Sequence, residues 1–169
     1  MAIRDVLLPE FDQETAGARR VLENIPADQL QFRPHQKSWN MAELGTHLGR
    51  LLSWAPPTMA MDDMDIGNFE PEPALESTDA ILELFDKNAA EARAAIAAAS
   101  DEDFTKSWTL RAGDTVYFSM PKAAVIRSFV MNHLVHHRGQ LTVYLRMAGA
   151  KVPGLYGPSA DEMEAEAQT

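Results

Sequence analysis

Asn132-His133-Leu134-Val135-His136-His137-Arg138-Gly139-Gln140 puts three of the chain's five histidines within five residues. Around this stretch Ile126, Val130, His133, His137, Gln140, Tyr144 and Ala148 follow one another in steps of four and three, the period of one helical face. The spacing predicts a long helix over about 121–148, with Pro121 near its start and Gly149 at its end. On that helix His133 and His137 stack, their Cβ atoms roughly 5–6 Å apart, so two imidazoles can reach one ion. Their face reads as the apolar one. Imidazoles turned into a core need partners, because unpaired buried polar groups are costly. A metal would satisfy both at once.

Working outward, the other segments repeat the helical period. Leu8, Phe11, Thr15, Ala18, Leu22 and Ile25 predict a first helix over about 5–25, in which Pro9 is tolerable only near the start and which Pro26 ends. Residues 26–39 read as a turn-rich connector, with His35 at the surface. Asn40 is a good N-cap, and Glu43 three residues on completes a capping-box pattern, with Trp39 placed to staple against Leu44. The helix that follows carries Leu44, His47, Leu48, Leu51 and Leu52 on one side, until Pro56-Pro57 breaks it near Trp54-Ala55.

Residues 59–77 hold Asp62, Asp63, Asp65, Glu70, Glu72 and Glu76 with Pro71 and Pro73. The carboxylates do not follow the calcium-loop order, so the stretch reads as a solvated loop. A third helix is expected over about 79–99. Two β-rich runs, 104–110 and 115–119, flank Gly113 and suggest a short hairpin, the only sheet-like element expected. Residues 150–162 form a Pro/Gly-rich segment, and 163–169 read as a frayed tail after one domain spanning 1–162. These patterns add up to an all-α protein, a four-helix bundle with a short β-hairpin between helices three and four.

At 169 residues, with 46% hydrophobic and 24% charged residues, the chain can bury a sizeable core, so disorder is not expected. A formal charge of −10 disfavours nucleic acid and anionic membrane as partners. The absence of cysteine excludes disulfides, thiolate ligands and a cysteine nucleophile. No signal peptide is visible at Met1-Ala2-Ile3-Arg4-Asp5, and no apolar run reaches the ~18 residues of a membrane span, so a cytoplasmic protein is the expectation.

His47, His133 and His137 fall on inward positions of two helices, which leaves two readings open. Each can be a core histidine hydrogen-bonded to its surroundings, or the three can share a metal, since bundles build such sites from facing helices. Position 134 is Leu, so the glutamate of a zinc-protease His-Glu-x-x-His motif is missing. Three neutral imidazoles would leave an ion doubly charged with open positions, the layout of a catalytic site. Imidazole suits Zn, Ni, Fe and Cu alike, and carboxylate-free ligation disfavours Mg and Ca. His136 lies about 100° round the helix from His137 and reads as a residue that supports the ligands from behind, lies at an interface or faces solvent. Gln140 is placed to touch a ligand or a bound water. Arg138 and Gly139 lie further round, with Gly139 allowing close helix contact.

The run His133-x-x-x-His137-Arg138-Gly139-Gln140-Leu141, then Val143-Tyr144-Leu145-Arg146 and the tail Val152-Pro153-Gly154-Leu155-Tyr156-Gly157-Pro158-Ser159-Ala160-Asp161-Glu162, resembles the DinB/YfiT-like family of metal-binding four-helix-bundle proteins. The resemblance covers most of the chain. It implies an up-down-down-up bundle, homodimers, and a divalent transition metal such as Zn, Ni or Fe on His47, His133 and His137. It further implies an enzyme that uses an external low-molecular-weight thiol against a small electrophile. A metal-dependent hydrolase and a non-catalytic, metal-secured dimer are the alternatives. Phe129 and Leu134, off the histidine stripe, are the apolar residues expected at a dimer interface.

Overall fold

The first helix, α1 (Ile3–Glu23), buries Leu7, Phe11, Ala18, Val21 and Leu22, and runs through Pro9 rather than starting near it. The proline therefore removes one backbone hydrogen bond inside the helix. The computed structural model describes residues 1–70 and 72–168; Pro71 of the acidic stretch and Thr169 of the tail lie outside it.

Helix α2 (Met41–Leu51) begins at the expected capping box. The Asn40 side chain accepts from Glu43 N–H at 2.8 Å, and the Glu43 carboxylate accepts from Asn40 N–H at 2.7 Å. These bonds satisfy two of the orphan donors at the helix start. After Leu51 the chain tightens through a 3₁₀ turn, Leu52–Trp54, into the short helix α3 (Ala55–Ala60), whose first turn holds both prolines. There their missing N–H groups cost little.

The acidic stretch is more ordered than a solvated loop. Asp63–Asp65 form strand β1, which pairs in parallel with Thr109–Arg111. Arg111 explains the pairing, since its Nε donates to Asp63 at 2.6 Å and its Nη1 to Asp65 at 2.5 Å. Sequence periodicity cannot reveal a three-residue strand held by charge.

Ser77 caps α4 (Thr78–Ala98), and Ser100 caps the short helix α5 (Asp101–Thr105). Phe104 thus lies in a helical turn and fills the core at 0% exposure, rather than opening a strand. Strands β2 (Ser107–Ala112) and β3 (Thr115–Pro121) make the expected hairpin, and with β1 form a three-stranded sheet in the order β1-β2-β3. Gly113 sits at φ +55° in the hairpin turn, a conformation that favours glycine.

The last long helical run is composite. After α6 (Lys122–Val125) comes a π-helical turn, Ile126–Met131, and then α7 (Asn132–Met147). The buried Lys122 reaches back to the end of α3, donating from Nζ to the Met59 carbonyl at 3.1 Å. Ser159 caps a final helix, α8 (Ala160–Glu166), so residues 163–166 continue a helix where a frayed tail was expected.

The chain is mostly helical. Helix α4 packs against α1 and α2, and α7 packs against the same two, so their buried faces meet in one core. A second, smaller cluster joins Trp108 and Leu110 of the sheet to Val125. Among the described residues no helix is long and apolar enough to cross a membrane.

Candidate metal centre

Helix α2 and the 3₁₀ turn after it carry a half-buried stripe, Glu43, His47, Arg50 and Trp54, while the rest of α2 is buried. His47 points from that stripe toward α7, where His133 and His137 are likewise half-buried. One nitrogen of each ring lies within 4.8 Å of the others. Nε2 of His133 is 2.9 Å from Nε2 of His137 and 3.5 Å from Nε2 of His47. Tetrahedral zinc, with Zn–N bonds of about 2.0–2.1 Å, places its nitrogens about 3.3 Å apart, between these two distances.

The tautomers fit an ion as well. His137 donates from Nδ1 to the Gln140 side-chain oxygen at 2.6 Å. A backbone hydrogen bond to Phe129 likewise holds the His133 ring. With Nδ1 of His137 committed to Gln140, its Nε2 faces that of His133 across 2.9 Å with a free lone pair, an arrangement that a cation between them suits. Such outer hydrogen bonds fix the orientation of metal-ligating imidazoles.

Protonation runs in the same direction. Burial, then the His137 and His133 rings and Arg50, push His47 down to about 4. Burial also lowers His133 and His137 from the ordinary histidine value, against the opposing hydrogen bonds to Phe129 and Gln140. All three are neutral at pH 7, the form in which imidazole binds a metal.

Trp39 closes one side. Its ring centroid is 4.8 Å from that of His47 and 5.6 Å from that of His137. At 46% exposure it lies over the histidines with one face open to solvent. Beyond His47 opens a cleft of about 450 Å³, floored by that stripe and walled by Phe69, Glu72, Pro73 and Ala74.

Several expectations about α7 need correction. Its buried stripe is Leu134, Arg138, Leu141 and Leu145, one position round from the histidines, which flank the core instead of facing it. Leu134 is 1% exposed and belongs to the core, so it is not available to a dimer interface. Phe129 is turned the other way and stacks on Phe118 at 4.4 Å. Gly139 is exposed, and a Cβ there would meet nothing within 4 Å, so it is not required by a close helix contact within the chain. His136 is exposed and outside the cluster, although its ring lies 4.7 Å from that of His137. His35 is exposed, as expected, and accepts from Lys37 N–H.

Arg138 is the largest surprise. It is 2% exposed and pairs with Glu14 of α1 at 2.7 Å. It also donates to the Tyr156 hydroxyl at 2.6 Å and to the Glu14 carbonyl at 3.1 Å. Tyr156 in turn donates to the Glu14 carboxylate at 2.8 Å. The only sequence sign was that Arg138 continues the spacing of Leu134, Leu141 and Leu145, a signal its charge obscures.

A helical protein with a small sheet, and three neutral imidazoles converging beside a cleft, defines the class of histidine-cluster helical proteins. Comparison with known proteins narrows this: the DinB family model matches residues 3–169, and the chain belongs to the DinB family. A crystal structure of a DinB-like protein from Bacillus cereus ATCC 10987 superposes with a TM-score of 0.68 at 24% identity, covering 92% of this chain and 98% of that one. The DinB-like protein YjoA of Bacillus subtilis gives 0.68 at 17% identity, covering 88% and 96%. At these identities the likeness speaks to the fold. The protein YrdA of Bacillus subtilis strain 168 is 49% identical over 43 residues, a stretch that spans 25% of each chain.

Proposed function

We propose that His47, His133 and His137 bind one divalent transition metal ion, Zn, Ni or Fe, through Nε2, in a four-helix bundle of the up-down-down-up family type. On this reading the protein is a metal-dependent enzyme, a low-molecular-weight-thiol S-transferase acting on a small electrophile. The observation that carries it is the convergence of the three imidazoles, one nitrogen of each within 4.8 Å of the others, with Nδ1 of His137 committed to Gln140. An ion held by three imidazoles supplies a Lewis acid that brings a bound thiol or water toward a pKa of ~7.

The chain's own residues do the rest. Gln140 and the Phe129 carbonyl aim the rings, Trp39 screens two of them from solvent, and the cleft beside His47 receives the electrophile. With no cysteine in the chain, the attacking sulfur comes from a second small molecule. That thiol gives up its proton to water, its sulfur bonds to the electrophilic carbon, and the leaving group departs with the bonding pair. The protein works in the cytoplasm as a homodimer, for which the outward face of α7, with exposed Val143 and Met147 beside Gly139, offers an apolar surface.

Zinc titration of the wild type, His137→Ala and His136→Ala tests the site. Wild type and His136→Ala should bind one equivalent, and His137→Ala should lose it. Turnover of 1-chloro-2,4-dinitrobenzene by the zinc-loaded protein, above the uncatalysed rate and dependent on added thiol, supports the transferase. Turnover with water alone makes it a hydrolase. Binding that raises the melting temperature without any turnover leaves a metal-secured fold.

A further inference from the structure

The cleft next to the histidines is built from one helical stripe and one loop. Glu43, His47, Arg50 and Trp54 recur in steps of four and three, so one face of α2 and the 3₁₀ turn after it carries a site histidine and the cleft floor together. Facing them are Phe69 and the segment through Glu72 and Ala74. Trp39, Trp54 and Phe69 make the walls aromatic. The volume, about 450 Å³, lies within the roughly 300–1,000 Å³ of small-molecule sites.

The charges in the lining are few and unequally committed. Glu43 is occupied by the Asn40 N–H and by Arg33. Arg50 is the one cation among the described residues of the lining, and it holds the loop. Its Nη1 donates to the Glu72 carbonyl at 2.8 Å, and its Nη2 donates to the Pro73 carbonyl at 2.9 Å and to the Glu72 carboxylate at 3.0 Å. The two carbonyl bonds position the loop backbone. The carboxylate bond is different, because the Glu72 side chain is 78% exposed and Arg50 30%, so water can replace it at little cost.

We infer that the cleft selects a small aromatic molecule bearing one carboxylate, which takes the place of the Glu72 side chain on Arg50 while the ring lies between Trp39, Trp54 and Phe69. Arg50 is one turn from His47, so a ligand anchored there extends its other end toward the histidines. The assignment rests on the proposed reading of His47 as part of a metal site, and names the substrate class of that site. Glu72 acts as a stand-in that keeps Arg50 in place when the cleft is free, and its removal leaves the guanidinium open to a carboxylate.

The test measures binding of phenylacetate and of its neutral analogue phenylacetamide by quenching of tryptophan fluorescence, in zinc-loaded and metal-stripped protein. Wild type should prefer phenylacetate. Glu72→Gln should tighten phenylacetate severalfold and leave phenylacetamide unchanged. Arg50→Gln should bring the ratio of the two affinities to about one, and Arg50→Lys, which keeps the charge, should restore a preference. The preference should persist without zinc. Its disappearance on stripping would place the carboxylate on the ion and overturn the role of Arg50, as would equal binding of acid and amide by Glu72→Gln. A protein that takes up no zinc but keeps the preference and the Glu72→Gln gain would refute the metal reading and leave the cleft assignment standing.

Discussion

Removing the carboxylate of Glu14 tests the tie between α1, α7 and the tail. Arg138 and Glu14 have side-chain exposures of 2% and 9% and lie 2.7 Å apart, so Glu14→Ala strands a guanidinium that water cannot reach. Breaking one side of a buried pair costs about 3–5 kcal/mol. Arg138 would keep its bonds to the Glu14 carbonyl and the Tyr156 hydroxyl, which puts the loss at the low end, about 3 kcal/mol. With a urea m-value of about 2 kcal/mol/M the unfolding midpoint should fall by about 1.5 M. Replacing both partners, as Glu14→Met with Arg138→Met, removes the charges together. That variant should lie within about 1 kcal/mol of wild type, because apolar substitutes for buried pairs are often neutral. Urea melts of the three proteins decide the matter. A Glu14→Ala midpoint within about 0.2 M of wild type, or a double variant worse than the single one, would refute the reasoning.

Gln140→Leu removes the acceptor of His137 Nδ1 and should weaken zinc binding about 10-fold or more without abolishing it, as read by competition with a chelating dye. Gly139→Ala, exposed in mid-helix with open space for a Cβ, should raise stability by about 0.8–1 kcal/mol in urea melts. Gly17→Ala should do the opposite despite the same gain in helix propensity, because its Cβ would lie 2.8 Å from Arg138 Nη1. The hydrogen bond from Arg146 and that from Val152 N–H hold Asp161 at about 2, below its ordinary 3.8. Such a depressed carboxylate adds stability above pH 4 and loses it as the pH falls toward 2, so the gap between wild type and Asp161→Asn should close over that range and shrink in high salt.

The long helices were legible because apolar residues at threes and fours, capped by Asn40 and ended by Pro26 or Gly149, state a helix locally. The site histidines were legible for the same reason: residues four apart share a face wherever the core lies. What could not be read was the rotation of α7 against its neighbours. Arg138 was placed only as lying further round the helix, and its burial depends on Glu14, over a hundred residues earlier, and Tyr156, eighteen later. Strand β1 was hidden because Asp63 and Asp65 look like solvated charge until Arg111 is known to lie opposite them. Trp39 and Arg50 were invisible as site residues, since their roles come from a loop and a helix closing on one another.

The π-helical turn at Ile126–Met131 makes the last helix serve two interiors. Val125 belongs to the cluster under the sheet, whereas Ile126, Val130 and Met131 already belong to the main core. A wider turn takes up one residue more than an α-helical one of the same height, so it works as a gear between two differently oriented stretches. Excising a single residue there would convert the turn to an α-helical one and leave the residues beyond it facing as they do, because the turn had already absorbed the extra residue. The same deletion inside α7, which has no such turn, would rotate everything downstream of it by about 100°. Length changes in the last helix are therefore far better tolerated at Ile126–Met131 than beside Leu134, Arg138 and the histidines.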